Sequence, residues 1–192
     1  MPDRNQAALE FLLTRRSRPA KTLTGPAPDR EALEPILTAA ARSPDHGKLE
    51  PWRFIVLERG AMGRLVELVG VRGEALHEPA EQIAKAQSAF ADSPLAVVVV
   101  SAPVATPKVP QIEQVLSAGA VCLSLLNAAL ASGWGANWLS GWISHDRVFL
   151  SEGLGLQDDE TVAGIIHIGT ETSPPPERPR PDLATITEWV ST

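Results

Sequence analysis

Apolar residues recur along the chain with two periods. Leu9, Leu12 and Leu13 form a helical stripe and predict a first helix from Asn5 to Thr14. It runs into Arg15, Arg16, Ser17 and Arg18 before Pro19, which stops it. Leu33, Ile36, Leu37, Ala40 and Ala41 predict a second helix, capped by Asp29 and reaching Arg42. Pro35 weakens its first turns by removing a backbone donor. Further helices are predicted over Ala61 to Val71, with Met62, Leu65, Val66 and Val69 inward, and over the more polar Leu76 to Phe90. The longest helix is predicted from Gln111 to Ser132. From Ala118 onward it is apolar nearly all round, which implies burial on every side, in a domain centre or a subunit interface.

Three runs have strand character: Trp52 to Leu57, the run LAVVVVSA between Pro94 and Pro103, and Val162 to Ile168. The first is apolar on both faces apart from Arg53, so helices are expected on both sides. Gly133 and Gly135 end the long helix, and Asn137 to Gly141 reads as a loop. Asp146 is expected to cap a short helix ended by Gly153. Near the end, PPPERPRPD reads as an extended polyproline segment. Asp182 then caps a last helix carrying Leu183, Ile186 and Trp189. Such a helix cannot bury its own apolar face, so the arm (173–192) should lie across this subunit or a partner. Helices and strands without regular alternation point to an α+β sandwich, and 192 residues suit a single domain.

The formal net charge of −6 argues against a nucleic-acid partner, which would call for a basic face. The single cysteine, Cys122, permits no intrachain disulfide and fits a reducing compartment. Within AVCLSLL it reads as a buried filler. The acidic N-terminus has no signal-peptide pattern. The strongly apolar run Leu95 to Val100 is too short to span a bilayer. The expectation is a cytoplasmic protein without a membrane partner.

Familiar catalytic patterns are missing. GWGANW has Trp138 where a dinucleotide fingerprint needs its third glycine. Neither a P-loop nor a G-x-S-x-G elbow occurs. The four histidines are scattered, so no metal site is expected, and His167 reads as a core or edge histidine. Four stretches do carry chemistry. Arg15, Arg16 and Ser17 suit a phosphate, since guanidinium forks match its oxygens; taken alone, the simpler reading is cations placed at a helix C-terminus, where the helix dipole favours them. Arg42, His46 and Lys48 stand together in the polar loop before Trp52, which offers either fixed donors for an anionic ring or only a strand start. In GWGANWLSG the glycines allow close backbone approach and the indoles can cover an aromatic ring; the alternative is a tight connection with core tryptophans. Arg178 and Arg180, two apart on an extended chain, either close a phosphate site or belong to a solvated tail.

Taken in order, these stretches resemble the flavin-dependent nitroreductase family, most closely its short YdjA-like bacterial subgroup. The matching residues are RRS at Arg15 to Ser17, the L-x-x-I-L-x-A-A run from Leu33 to Ala40, SPDHGKLEPWRF from Ser43 to Phe54, and GWGANWLSG leading into IIHIGT. The resemblance implies a nitroreductase-like sandwich with a central mixed sheet flanked by helices. It also implies a homodimer with exchanged arms and FMN at the interface. It places the FMN phosphate and ribityl chain on Arg15, Arg16 and Ser17, with Arg180 and Arg178 closing the phosphate site. Arg42 and His46 would reach the flavin of the other subunit, while Trp138, Leu139 and Ser140 would line the ring. The helix end Ala128 to Gly133 would meet the nicotinamide. The implied reaction is ping-pong hydride transfer from NAD(P)H to a nitroaromatic or similar electron-poor acceptor. No catalytic side chain is required for it. Rival readings are reduction of an activated alkene or halogenated ring, FMN binding without turnover, and a flavin-free dimerising protein. Two positions depart from the family pattern. Glu50 stands where glutamine is usual, and Leu139 where arginine can occur, so acceptor preference does not carry over.

Overall fold

The computed structural model describes residues 3–192. In chain order the elements are α1 (Gln6–Thr14), β1 (Leu23–Thr24), α2 (Arg30–Ala40), β2 (Trp52–Glu58), α3 (Arg59–Ala75), α4 (Ala80–Ala91), β3 (Leu95–Ser101), α5 (Gln111–Ala131), β4 (Gly135–Leu139), β5 (Thr161–Glu171) and α6 (Leu183–Ile186). The sheet runs β1-β5-β3-β2, with β4 also on β5, and each of these pairings is antiparallel. One edge of β5 takes β3; the other takes β4 at Ile165–Gly169 and then β1 at Thr170 and Glu171.

Strand alternation divides the core in two. On β3, Leu95, Val97 and Val99 pack under α2 and α5, while Ala96, Val98 and Val100 pack under α3 and the segment around Phe149. All seven β3 residues are buried, as its two-sided apolar pattern requires. β2 also has helices on both faces, but it forms the sheet edge, so Val56 remains exposed.

Caps follow the sequence closely. The Asn5 side chain accepts from the Ala8 N–H, and Asp29 from the Ala32 N–H. Asp146 accepts from the Phe149 N–H and holds Arg72 through two bonds of 2.8 and 3.0 Å. Cys122 is buried in α5, and desolvation pushes its thiol up to about 12, as befits an inert filler.

Three expectations need correction. Residues 135–139 form strand β4, where a loop was expected over Asn137 to Gly141; the Arg18 N–H donates to Ala136 O at 2.8 Å and β5 pairs from the other side. Of the two settings expected for α5 from Ala118 onward, the domain centre is not met within one chain, since Leu123 stays exposed there. Val121, Cys122, Leu125, Leu126 and Ala129 face the sheet, while Ile112, Val115, Leu116 and Leu123 are exposed. The last helix is shorter than expected: α6 ends at Ile186, so Trp189 lies beyond it, and Leu183, Ile186, Trp189 and Val190 are exposed on their own chain.

α3 and α4 meet where there is room only for glycine. A Cβ on Gly73 would sit 2.5 Å from Cγ1 of Ile83, whereas one on Gly63 would meet nothing within 4 Å. Alanine gains about 0.5–1 kcal/mol over glycine inside a helix, but overpacking costs about 1–3 kcal/mol. Gly63→Ala should therefore raise the urea midpoint and Gly73→Ala should lower it, the latter by a net of roughly 1 kcal/mol.

Candidate functional site

The cationic segment after α1 is stapled to the sheet. The Arg15 N–H closes α1 on Phe11 O at 2.8 Å, and the Arg18 N–H reaches Ala136 of β4. The Asn137 side-chain amide donates to Arg18 O. Arg18 itself pairs with Glu171 at 3.0 Å. With its first residue closed on α1 and its last held on β4, the Arg15–Arg18 segment shares a cleft with Trp138 and Ser140.

The outcome is an open cleft of about 490 Å³ lined by Arg15, Arg16, Ser17, Trp138, Ser140, Arg178 and Arg180, with Leu123 and Leu126 of α5 as its apolar wall. Residues more than 160 positions apart in sequence thus share one surface. The electrostatics are unbalanced. Burial, followed by the cations of Arg180, Arg16 and Arg18, holds the Arg15 guanidinium below its ordinary pKa. Its Nε is buried without a hydrogen-bond partner, while an Nη donates to Ser17 Oγ at 3.1 Å. A buried donor without an acceptor costs about 1–3 kcal/mol, more when charged. An anion with several oxygens would relieve both the unmet donor and the mutual repulsion.

One carboxylate already sits at the rim. Glu177 lies 3.3 Å from Arg16 and 3.2 Å from Arg180. The Arg178 N–H and then these guanidiniums hold its pKa below the usual carboxylate value. Sequence reasoning did not single out Glu177. Its only signal is an acid lying between prolines beside two arginines.

Trp138 needs its neighbour to be glycine. A Cβ on Gly164 of β5 would overlap the indole. Gly164→Ala should swing Trp138 outward and red-shift tryptophan emission. The same substitution made on Trp138→Phe should leave the emission nearly unchanged, and an equal shift in both would contradict the arrangement.

Leu139 does not join the arginine cleft; it lines a different cavity with Ser140. Successive strand residues point to opposite faces, so Trp138 and Leu139 are separated. Arg42 and His46 also lie outside the cleft in this chain. Arg42 is exposed beyond α2. His46 Nδ1 is 2.6 Å from Glu113 Oε2, in a shallow depression bordered by Pro44 and Leu116. The loop carrying His46 is conformationally costly, because Gly47, Lys48 and Glu50 have φ of 78°, 55° and 48°. For non-glycine residues such angles cost about 1–3 kcal/mol each and cluster at functional sites. Glu50 is exposed, with its N–H donating to Asp45 Oδ2 at 2.5 Å.

Residues 12–170 match the profile of the Nitroreductase family. This chain belongs to that family. Among curated relatives of this nitroreductase-family chain, a Haemophilus influenzae protein is 39% identical over 165 residues, covering 85% of this chain and 88% of its own. YdjA of Escherichia coli K12 is 36% identical over 163 residues, covering 85% and 87%. Both bear the provisional name NAD(P)H nitroreductase. A Desulfovibrio desulfuricans protein, provisionally called a nitroreductase and solved with FMN, superposes with a TM-score of 0.74 over 99% of both chains at 21% identity. The sandwich of antiparallel sheet and helices is the family fold, and the chain is an oxidoreductase by family.

Proposed function

We propose that the chain is an FMN-dependent NAD(P)H oxidoreductase that reduces a nitroaromatic or similarly small electron-poor acceptor by ping-pong hydride transfer. The observation that carries this reading is the convergence of Arg15, Arg16, Arg178 and Arg180 on one cleft beside Trp138, with a buried Arg15 donor unmet. Family membership, the names of the relatives and the FMN in the Desulfovibrio structure support it.

In this reading Arg15, Arg16, Ser17 and Arg180 hold the FMN phosphate, and Trp138 and Ser140 border the ring. Guanidiniums position the phosphate bidentately and cannot lose their protons, so their grip is constant across ordinary pH. When bound, FMN supplies a two-electron carrier that takes hydride from NAD(P)H and yields it to the acceptor. The chain's residues hold the rings, exclude water from one face and stabilise charge.

On α5 Leu116 and Leu123 are exposed, and α1 likewise exposes Leu9, Leu12 and Leu13. Together with α6 these faces favour a homodimer of single-domain subunits whose arms cross between them. Arg42 and His46 of the partner subunit would then complete the site. A cytoplasmic location suits a protein with one inert thiol and a nicotinamide co-substrate.

An absorbance spectrum of the purified protein tests the chemistry. A flavin band that bleaches on anaerobic NADPH and returns with a nitroaromatic is the expected result. Colourless protein after FMN addition would overturn the reading, and a band that NADPH leaves untouched would reduce it to FMN binding. Light scattering should report two copies of the 20.5 kDa chain.

A further inference from the structure

Behind Ser140, on the side away from the arginines, lies a second and smaller cavity of about 180 Å³. Phe90, Trp142, Ile143 and Ile165 form its walls, and Ser140 and His167 are among its polar groups. A cavity of about 150 Å³ accommodates benzene, so by volume a six-membered aromatic ring fits here, with Gln82 and Lys85 of α4 also on the lining.

The imidazole gives the cavity a chemical preference. His167 is 1% exposed, and its Nδ1 is 2.9 Å from Ser93 Oγ. The Ser93 hydroxyl has one proton, which it donates to Leu95 O at 3.0 Å. Ser93 Oγ is therefore the acceptor in the first bond, and Nδ1 carries the ring proton. That fixes the tautomer and leaves Nε2 as a lone pair, without a protein partner among the described residues. Burial keeps the ring neutral, lowering its pKa to about 4. A histidine needed only for packing would be served as well by an apolar side chain. Here a hydrogen-bond chain presets the tautomer of an imidazole that lines a ring-sized cavity.

We infer that this cavity is a binding site for a small aromatic hydrogen-bond donor of the phenol class, its ring against Phe90 and Ile165 and its hydroxyl on His167 Nε2. The site is separate from the arginine cleft and independent of the flavin reading. Ser140 lines both spaces.

Phenol and toluene, which differ by the hydroxyl, serve as probes. Titration of the intact protein followed by tryptophan fluorescence and by ligand-observed NMR should show saturable phenol binding. A neutral hydrogen bond makes a modest net contribution, so toluene should bind roughly two- to twelvefold more weakly. His167→Phe should erase that difference. Ala89→Phe, which adds bulk at the α4 wall without touching the imidazole, should abolish binding of both; it keeps the test alive if the core variant fails to fold. Equal affinity for phenol and toluene, no saturation up to the solubility limit, or phenol binding undiminished in Ala89→Phe would each overturn the assignment.

Discussion

The double variant Arg15→Ala, Arg16→Ala is expected to lose about two to four orders of magnitude in affinity for FMN while its affinity for riboflavin stays nearly constant. Each charge-assisted hydrogen bond is worth about 1.5–3 kcal/mol, and about 1.4 kcal/mol corresponds to a factor of ten. Two such contacts therefore set the range. Riboflavin has the same ring and ribityl chain but no phosphate, so it isolates the anion contact. Folding should suffer little. α1 buries nothing and Arg16 pairs only with a well-exposed carboxylate, and surface pairs contribute about 0–1 kcal/mol. Fluorescence titration of the apoprotein with both ligands measures the effect. An equal loss for riboflavin would place the arginines on the ring or in the fold instead of on the phosphate.

Acidification should unfold the protein through His167 before its ion-paired carboxylates respond. The imidazole has an ordinary pKa of 6.5 and a folded value of about 4, lowered by burial. The unfolded chain therefore binds the proton more readily, and stability falls as pH drops. The contribution is complete above pH 6.5, declines between 6.5 and 4, and levels off below. Between pH 7 and pH 4.5 the expected loss is about 2.5 kcal/mol. Asp146 and Glu160 are shifted the same way, chiefly by hydrogen bonds from Arg72 and Arg53. Their stabilisation is present above the ordinary carboxylate range and is lost only as pH falls through and below it. Urea midpoints at pH 7 and 4.5 should differ strongly in the natural protein and weakly in His167→Phe. An undiminished difference in the variant would exonerate the imidazole.

Local chemistry made much of this fold readable in advance. Asp29, Asp146 and Asp182 are caps whose side chains bond where their position in sequence implies. The alternating burial of β3 follows from an apolar run bracketed by prolines. Long-range packing hid the rest. Nothing near Asn137 signals a strand, because β4 exists through its pairing with β5, some thirty residues later. The unburied half of α5 could not be told from its buried half, since both are equally apolar. Within the cleft, Arg15, Arg16, Ser17, Trp138, Ser140 and Arg180 come together as the ordered motifs suggest. Leu139 falls on the other face, because motif adjacency ignores the alternation that a strand imposes. Gly164 was missed altogether: its role is to leave space for Trp138, and empty space has no pattern in sequence.

The polar bond reaching from the arm to the body is the Arg16–Glu177 pair, and its carboxylate is 70% exposed. Mobile ions within about 10 Å of such a pair screen it at ordinary salt, and structure-making salts also strengthen apolar burial. Ionic strength is therefore a handle on this protein. Raising sulfate would loosen the arm from its own subunit and at the same time favour any surface that covers Leu183, Ile186 and Trp189. Where the last twenty residues rest is thus set partly by the solvent.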